Sequence, residues 1–203
     1  MPDVHRDVLT GHGYMQGVND QSERQMITFP KKLTPGLLAF CRSISSERPV
    51  VVRSKPHADA RPSECFNNVL HSVAISGGST AYGWAIWSIP GIYFEAEHHG
   101  VWRDDGGKLL DVSPQLRGAG KILFLPDPMA VFEPGRYRPN VIGPATAGKL
   151  AAEFVELATR RNAIRDSYRR SGVSLTTFTV DDQIELARIE GRLRQLLAYA
   201  GIS

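Results

Sequence analysis

Cysteine is scarce in this chain, which has two, Cys41 and Cys65. Two thiols without a secretory leader point to a reducing compartment and free sulfhydryls, hence a cytoplasmic protein. The opening residues M-P-D-V-H-R-D-V-L-T-G contain no apolar h-region. A run of about 18 apolar residues is also missing, so no membrane span is expected. There is no internal repeat and no low-complexity tract. No C-x-x-C or H-x-x-x-H pair occurs, which removes the commonest local zinc signatures. Charge of neither sign dominates: 24 Lys and Arg against 21 Asp and Glu leave a formal charge of +3. That balance does not by itself imply a nucleic-acid partner.

The 203 residues, 42% of them hydrophobic, suffice for one domain with a real core. Residues 1–24 are polar with few apolar positions and read as an irregular segment. Residues 25–144 read as the core and 145–203 as a C-terminal helical hairpin packed on it. Gln25–Pro30 suits a short edge strand. Thr34-Pro35 reads as an N-cap with proline at the first helical position. Leu37, Leu38, Phe40, Cys41 and Ile44 continue with helical spacing, which makes Cys41 a small buried hydrophobe. Pro49–Arg53 is β-branched and suits a strand.

The stretch from Arg61 to Pro114 holds the polar residues with chemical potential. A helix is expected from Pro62 or Ser63, with Ser63 as cap and Cys65 in the first turn. Phe66, Val69, Leu70, Val73 and Ala74 make its apolar stripe, and Gly77-Gly78 end it in an αL cap. Strands are expected over Thr80–Ile89 and Ile92–Trp102. Asp104-Asp105-Gly106-Gly107 then turns the chain toward Asp111.

A thiol nucleophile needs a setting that favours thiolate, a base, and a group to orient that base. A helix N-terminus favours the thiolate through its unpaired N–H groups. His99 can supply the base and Asp111 the orienting carboxylate. Loop length decides whether they meet, since alternate residues of a strand face opposite ways. An odd-length loop, made natural by Gly106 or Gly107 at left-handed φ in a G1 bulge, puts His99 and Asp111 on one face. An even-length loop makes His98 the partner of Asp111. Glu95 and Glu97 share the face of His99, where either a cleft or plain solvent accounts for them.

Cys65 at a helix start, E-H-H-G-V-W and G-G-K-L-L-D-V-S-P resemble the papain-like and transglutaminase-like cysteine enzymes. The resemblance implies an α+β fold, with a Cys-bearing helix packed on an antiparallel sheet of about four strands. It also implies a Cys65–His99–Asp111 triad that carries acyl groups as a thioester. Asn68, Trp84 and His98 are assigned to the substrate site, although Asn68 can instead bridge helix and sheet, and His98 can simply pack. The chemistry needs no cofactor. The expected substrate is a protein, peptide or small amide. The backbone N–H of Cys65 is one oxyanion donor; for the second, Asn19, Gln21 and His57 are the upstream choices. A metal site built on Cys65, His71, His98 and His99 is disfavoured: Cys65 and His71 point about 240° apart on one helix.

Lys121–Pro126 reads as a strand and Met129–Pro144 as a long connection. Ala145 to Arg170 reads as a helix stopped by Gly172, with Leu150, Phe154, Leu157 and Ala158 inward. Its arginines, Arg160, Arg161, Arg165, Arg169 and Arg170, suit the negative end of the dipole and a solvated face. Thr179 and Asp182 resemble a capping box for a last helix, with Ile189, Leu193, Leu196, Leu197 and Ala200 inward. Two other readings remain open. One is a binding module on the same scaffold without catalysis. The other is a basic protein that engages a partner through its C-terminal helices.

Overall fold

The turn after Arg103 fixes how the sheet is assembled. The Asp104 carbonyl accepts from Gly107 N–H, and Asp104 N–H donates to the Lys108 carbonyl, with Gly107 at φ 82°. This is a tight turn followed by a left-handed glycine, the odd-length loop. It sets Trp102 opposite Leu110 and Arg103 opposite Leu109. Val101 and Asp111 then fall opposite each other, and His99 shares their face.

A computed structural model describes residues 27–115, 118–170 and 178–202. The irregular segment at 1–24, Asn19, Gln21 and the helix stop at Gly172 lie outside the described residues. Six strands are described: β1 Val50–Ser54, β2 Ser79–Ile89, β3 Tyr93–Arg103, β4 Leu109–Asp111, β5 Lys121–Pro126 and β6 Val141–Pro144. Four described helices accompany them: α1 Pro35–Arg42, α2 Cys65–Ser76, α3 Lys149–Arg170 and α4 Val180–Tyr199.

The strands run in the order β2-β5-β1-β4-β3-β6, and β3 pairs back to β2. Five strands therefore close into a barrel, with β6 attached outside on β3. The fold is mixed α+β, but the expected sheet of about four antiparallel strands is corrected in two ways. It has six strands, and β1 pairs parallel with β4, Ser54 opposite Asp111. Closure removes the free edges that an open sheet of this size exposes. The connection expected over Met129–Pro144 ends in β6, whose Val141 pairs with Ala96. Of the edge strand expected at Gln25–Pro30, the described part makes only a bridge between Thr28 and Ser88.

Two apolar clusters lie on opposite faces of the strands. One joins Val52, Ala85, Ile122 and Phe124 to Phe154, Leu193 and Leu197, so the α3–α4 pair shares a core with the barrel. The other joins Leu37 and Cys41 of α1 to Trp84, Ile86 and Leu125. Thr34 caps α1 as expected, its hydroxyl accepting from Leu37 N–H. Thr179 caps α4 by accepting from Asp182 N–H. Ala200, expected inward, is exposed because α4 ends at Tyr199. No described helix is long and apolar enough to cross a membrane.

Two of the arginines expected on a solvated face of α3 are not on one, whereas Arg160 is exposed. Arg161 and Arg165 are buried, and Arg165 pairs with Glu190 of α4 at 2.6 Å. Arg160 pairs with Glu185, and Glu153 with Arg192. The two exposed pairs, Arg160–Glu185 and Glu153–Arg192, contribute about 0–1 kcal/mol each.

Glycine at position 100 decides how α2 seats. A Cβ built there meets the Phe66 ring at 2.9 Å. Phe66 lies flat against β3 only because that methyl is missing. Gly100→Ala is expected to destabilise by about 1–3 kcal/mol through overpacking. Urea unfolding measures this.

Candidate active site

The helix that carries Cys65 starts later than expected. Cys65 is its first residue and Glu64 its N-cap, and no side chain caps the end. Ser63 is not the cap: it adopts φ 67°, the one positive φ among described non-glycine residues. A left-handed serine costs on the order of 1–2 kcal/mol and turns the chain sharply into the helix. Cys65 therefore stands at the tip itself, where backbone N–H groups have no intrahelical acceptor. The helix ends at Gly77, but with φ 71° and ψ −159°, so it is not the expected αL cap.

The apolar stripe of α2 is also narrower than its sequence suggests. Val69 is buried, whereas Leu70 is 48% exposed and Ala74 is exposed. Buried Asn68 replaces them on the inward side. Its Nδ2 donates to the Arg61 carbonyl at 2.8 Å and to Ser113 Oγ at 3.1 Å, while its Oδ1 accepts from Arg61 N–H at 3.0 Å. Both amide hydrogens are thus used by the protein. Asn68, assigned above to substrate, is a strut between the loop, the helix and the residues after β4. Asn68→Ala removes the bonds to both Arg61 backbone groups and leaves the buried Ser113 Oγ without this donor. It should destabilise by about 1–3 kcal/mol in urea titration and loosen the presentation of Cys65.

That strut also brings α2 to His99. Between Ala96 and Trp102, β3 has a registered partner on one side only, because β4 stops at Asp111 and β6 pairs no further than Ala96. The residues after β4 border this gap, and Asn68 holds the first turn of α2 against them through Ser113. His99, 5% exposed, donates through Nε2 to Asp111 Oδ1 at 3.2 Å. Asp111 is fully buried and also accepts from Ser113 N–H at 3.2 Å and from Gln115 Nε2. Three donors in this arrangement keep the carboxylate fixed.

Burial alone pushes the His99 imidazole down. The Cys65 thiolate and the hydrogen bond to Asp111 outweigh it, and a hydrogen bond with Cys65 adds to them, so the ring is held well above its ordinary value of 6.5. Since Nε2 is committed to Asp111, Nδ1 is the nitrogen left for the sulfur. Cys65, His99 and Asp111 are therefore brought together. Cys65 is half-buried and Cys41 buried, and neither is in a disulfide. Burial pushes the Cys41 thiol up to about 11, which leaves it inert as a nucleophile.

His98 points away from the triad. Its Nε2 meets the Ala130 carbonyl at 2.6 Å, and its ring packs on Phe66 and Trp84 at centroid distances of 4.7 and 5.5 Å. Burial lowers its basicity despite that hydrogen bond. Trp84 is buried, its Nε1 donating to Asp127 at 2.9 Å. Phe132 stacks on Phe66 at 4.3 Å. His98 and Trp84 thus hold the 127–132 loop over the residue that follows Cys65.

Glu95 and Glu97 are not on a solvent face. Glu95 is buried and accepts from Tyr93 Oη and Asn140 Nδ2. Glu97 accepts from Trp87 Nε1 at 2.9 Å, and burial raises its pKa, partly opposed by His99. Ser113 and Gln115 were missed as members of the site, and for Glu97 the sequence leaves both a cleft and plain solvent open. Alternation placed Glu97 on the correct face, but nothing local tells a buried glutamate from a solvated one. A cavity of about 300 Å³ bordered by Ile92, Leu150 and Ile202 contains none of the triad residues.

No family model, curated protein or solved structure matches the chain. The site therefore has to be understood from its own geometry.

Proposed function

We propose that this chain is a thiol-dependent acyl-transfer enzyme of papain-like or transglutaminase-like type, acting on an amide or ester through a Cys65 thioester. The observation that carries this reading is His99: buried, held through Nε2 by Asp111, and raised in basicity by Cys65 at a helix tip. A structural histidine needs no half-buried thiol among the groups that raise its basicity.

In this mechanism His99 Nδ1 takes the Cys65 proton, and the sulfur attacks the substrate carbonyl carbon. The resulting oxyanion sits against the backbone N–H of Cys65 at the start of α2. Imidazolium Nδ1–H then protonates the leaving amine or alkoxide, and the thioester remains on Sγ. Water or an amine, deprotonated by His99, attacks the thioester and releases the thiol. Asp111 keeps Nε2 protonated, so that Nδ1 is the basic nitrogen. Peptidase, amidase, deamidase and transglutaminase chemistry all follow this course.

The reading as a basic partner-binding protein has less support, because Arg160, Arg165 and Arg192 are committed to glutamates across α3 and α4. A binding module without catalysis would not need Cys65 to be reactive. Iodoacetamide labelling followed by peptide mapping separates the two. Labelling at Cys65 should be comparable at pH 6 and pH 8.5, and should become slow at pH 6 in His99→Ala. A thiol that reacts only above pH 8, as an unassisted cysteine does, rules out activation.

A further inference from the structure

The loop that leads to Cys65 carries another group of side chains, which the triad does not use. His57 and Asp59 lie between β1 and α2, and His71 lies on the second turn of α2. Their donor atoms all fall within 4.8 Å of one another. The two imidazole centroids are 4.6 Å apart, with planes inclined by 30°. Asp59 and His71 are exposed and His57 is half-buried.

His57 is the unusual member. Both of its ring nitrogens are hidden from solvent without a hydrogen-bond partner. A buried polar atom left unpaired costs about 1–3 kcal/mol. A metal ion relieves one of the two nitrogens, by taking its lone pair directly. Two imidazoles with one carboxylate make a donor set suited to zinc, with a fourth position left for water. Calcium and magnesium prefer all-oxygen sites, and the absence of thiolate does not favour copper(I). Donors of a tetrahedral zinc site lie about 3.4 Å apart. The observed spread closes to that value by modest rotation of the exposed His71 and Asp59 side chains.

We propose that His57, Asp59 and His71 form a site for a divalent first-row metal ion of the zinc class, which clasps the 55–64 loop to α2. The ion closes a loop with Cys65 inside it. It acts beside the Asn68 strut, which ties Arg61 to the same helix. The site holds the nucleophile's approach segment in place and takes no part in the acyl-transfer steps.

Zinc chloride titrated calorimetrically into the reduced protein tests this. About one equivalent should bind to wild type and equally to Cys65→Ser. Loss of a supporting group around a metal ligand already costs about 10–100-fold in affinity. His71→Ala and Asp59→Asn, which remove direct ligands, should therefore lose at least as much. Both residues are exposed, so both variants should fold. Cobalt(II) should give visible absorption without a thiolate charge-transfer band. Absence of zinc binding, binding that survives in His71→Ala, or binding that disappears in Cys65→Ser each overturns the proposal. Because Cys65→Ser is catalytically silent by design, the metal result stands apart from the acyl-transfer reading.

Discussion

Asp111→Asn is expected to slow acylation of Cys65 about 10⁴-fold with the fold retained. The carboxylate accepts from His99 Nε2, Ser113 N–H and Gln115 Nε2. An asparagine has one oxygen for these donors. If its amide nitrogen takes the place of Oδ2, it meets the Gln115 amide hydrogens. If it takes the place of Oδ1, it meets Ser113 N–H and drives His99 into the other tautomer. Nδ1 then carries the proton and cannot receive one from the thiol. Either way the buried negative charge that favours imidazolium is gone. Burst kinetics with an activated aryl ester measure the effect across pH. The rate should recover partly at high pH, where the thiolate forms without help from His99. A loss of less than about tenfold would leave Asp111 a structural residue.

Cys65→Ala is the other large effect. Turnover should fall to background, on the order of 10⁵-fold or more, since no nearby group replaces the sulfur. The substitution should also act on His99. Cys65 is the largest of the influences that raise its pKa. The His99 ring resonances, followed by NMR, should therefore titrate at lower pH in Cys65→Ala than in wild type. Linkage fixes the sign for stability. A folded pKa above the ordinary 6.5 means that the stabilisation from charged His99 is complete below that value and decays as pH climbs through the folded value. Wild-type protein should lose stability to urea over that window, and Cys65→Ala should lose less. Equal pH dependence in the two proteins would mean that sulfur and imidazole do not interact.

The order Cys65, His99, Asp111 and the element under each residue were readable before any coordinates, because each depends on local chemistry. Whether the loop was odd or even stayed open in the sequence; Gly107 at φ 82° makes it odd, which puts His99 and Asp111 on one face. Thr34 and Thr179 announced their helices for the same reason: a hydroxyl and an unpaired N–H a turn away suffice. The later start of α2 escaped, because Ser63 gave up its capping role for a strained turn that the rest of the fold imposes.

Period-two alternation states that a segment pairs, but carries no information about its partner. Barrel closure from β3 to β2, the parallel β1–β4 pair and the docking of β6 were therefore set by tertiary structure alone. So was the fate of polar side chains. Asn68 became a strut, Glu95 and Glu97 went inward, and Arg161 and Arg165 were buried, because each depends on what a distant segment lays over it. Sequence determined the local setting of Cys65, His99 and Asp111, since turn and cap energetics act within a few residues. Only the folded chain decided that they meet, since the contact between the tip of α2 and the open stretch of β3 depends on segments far apart along the backbone.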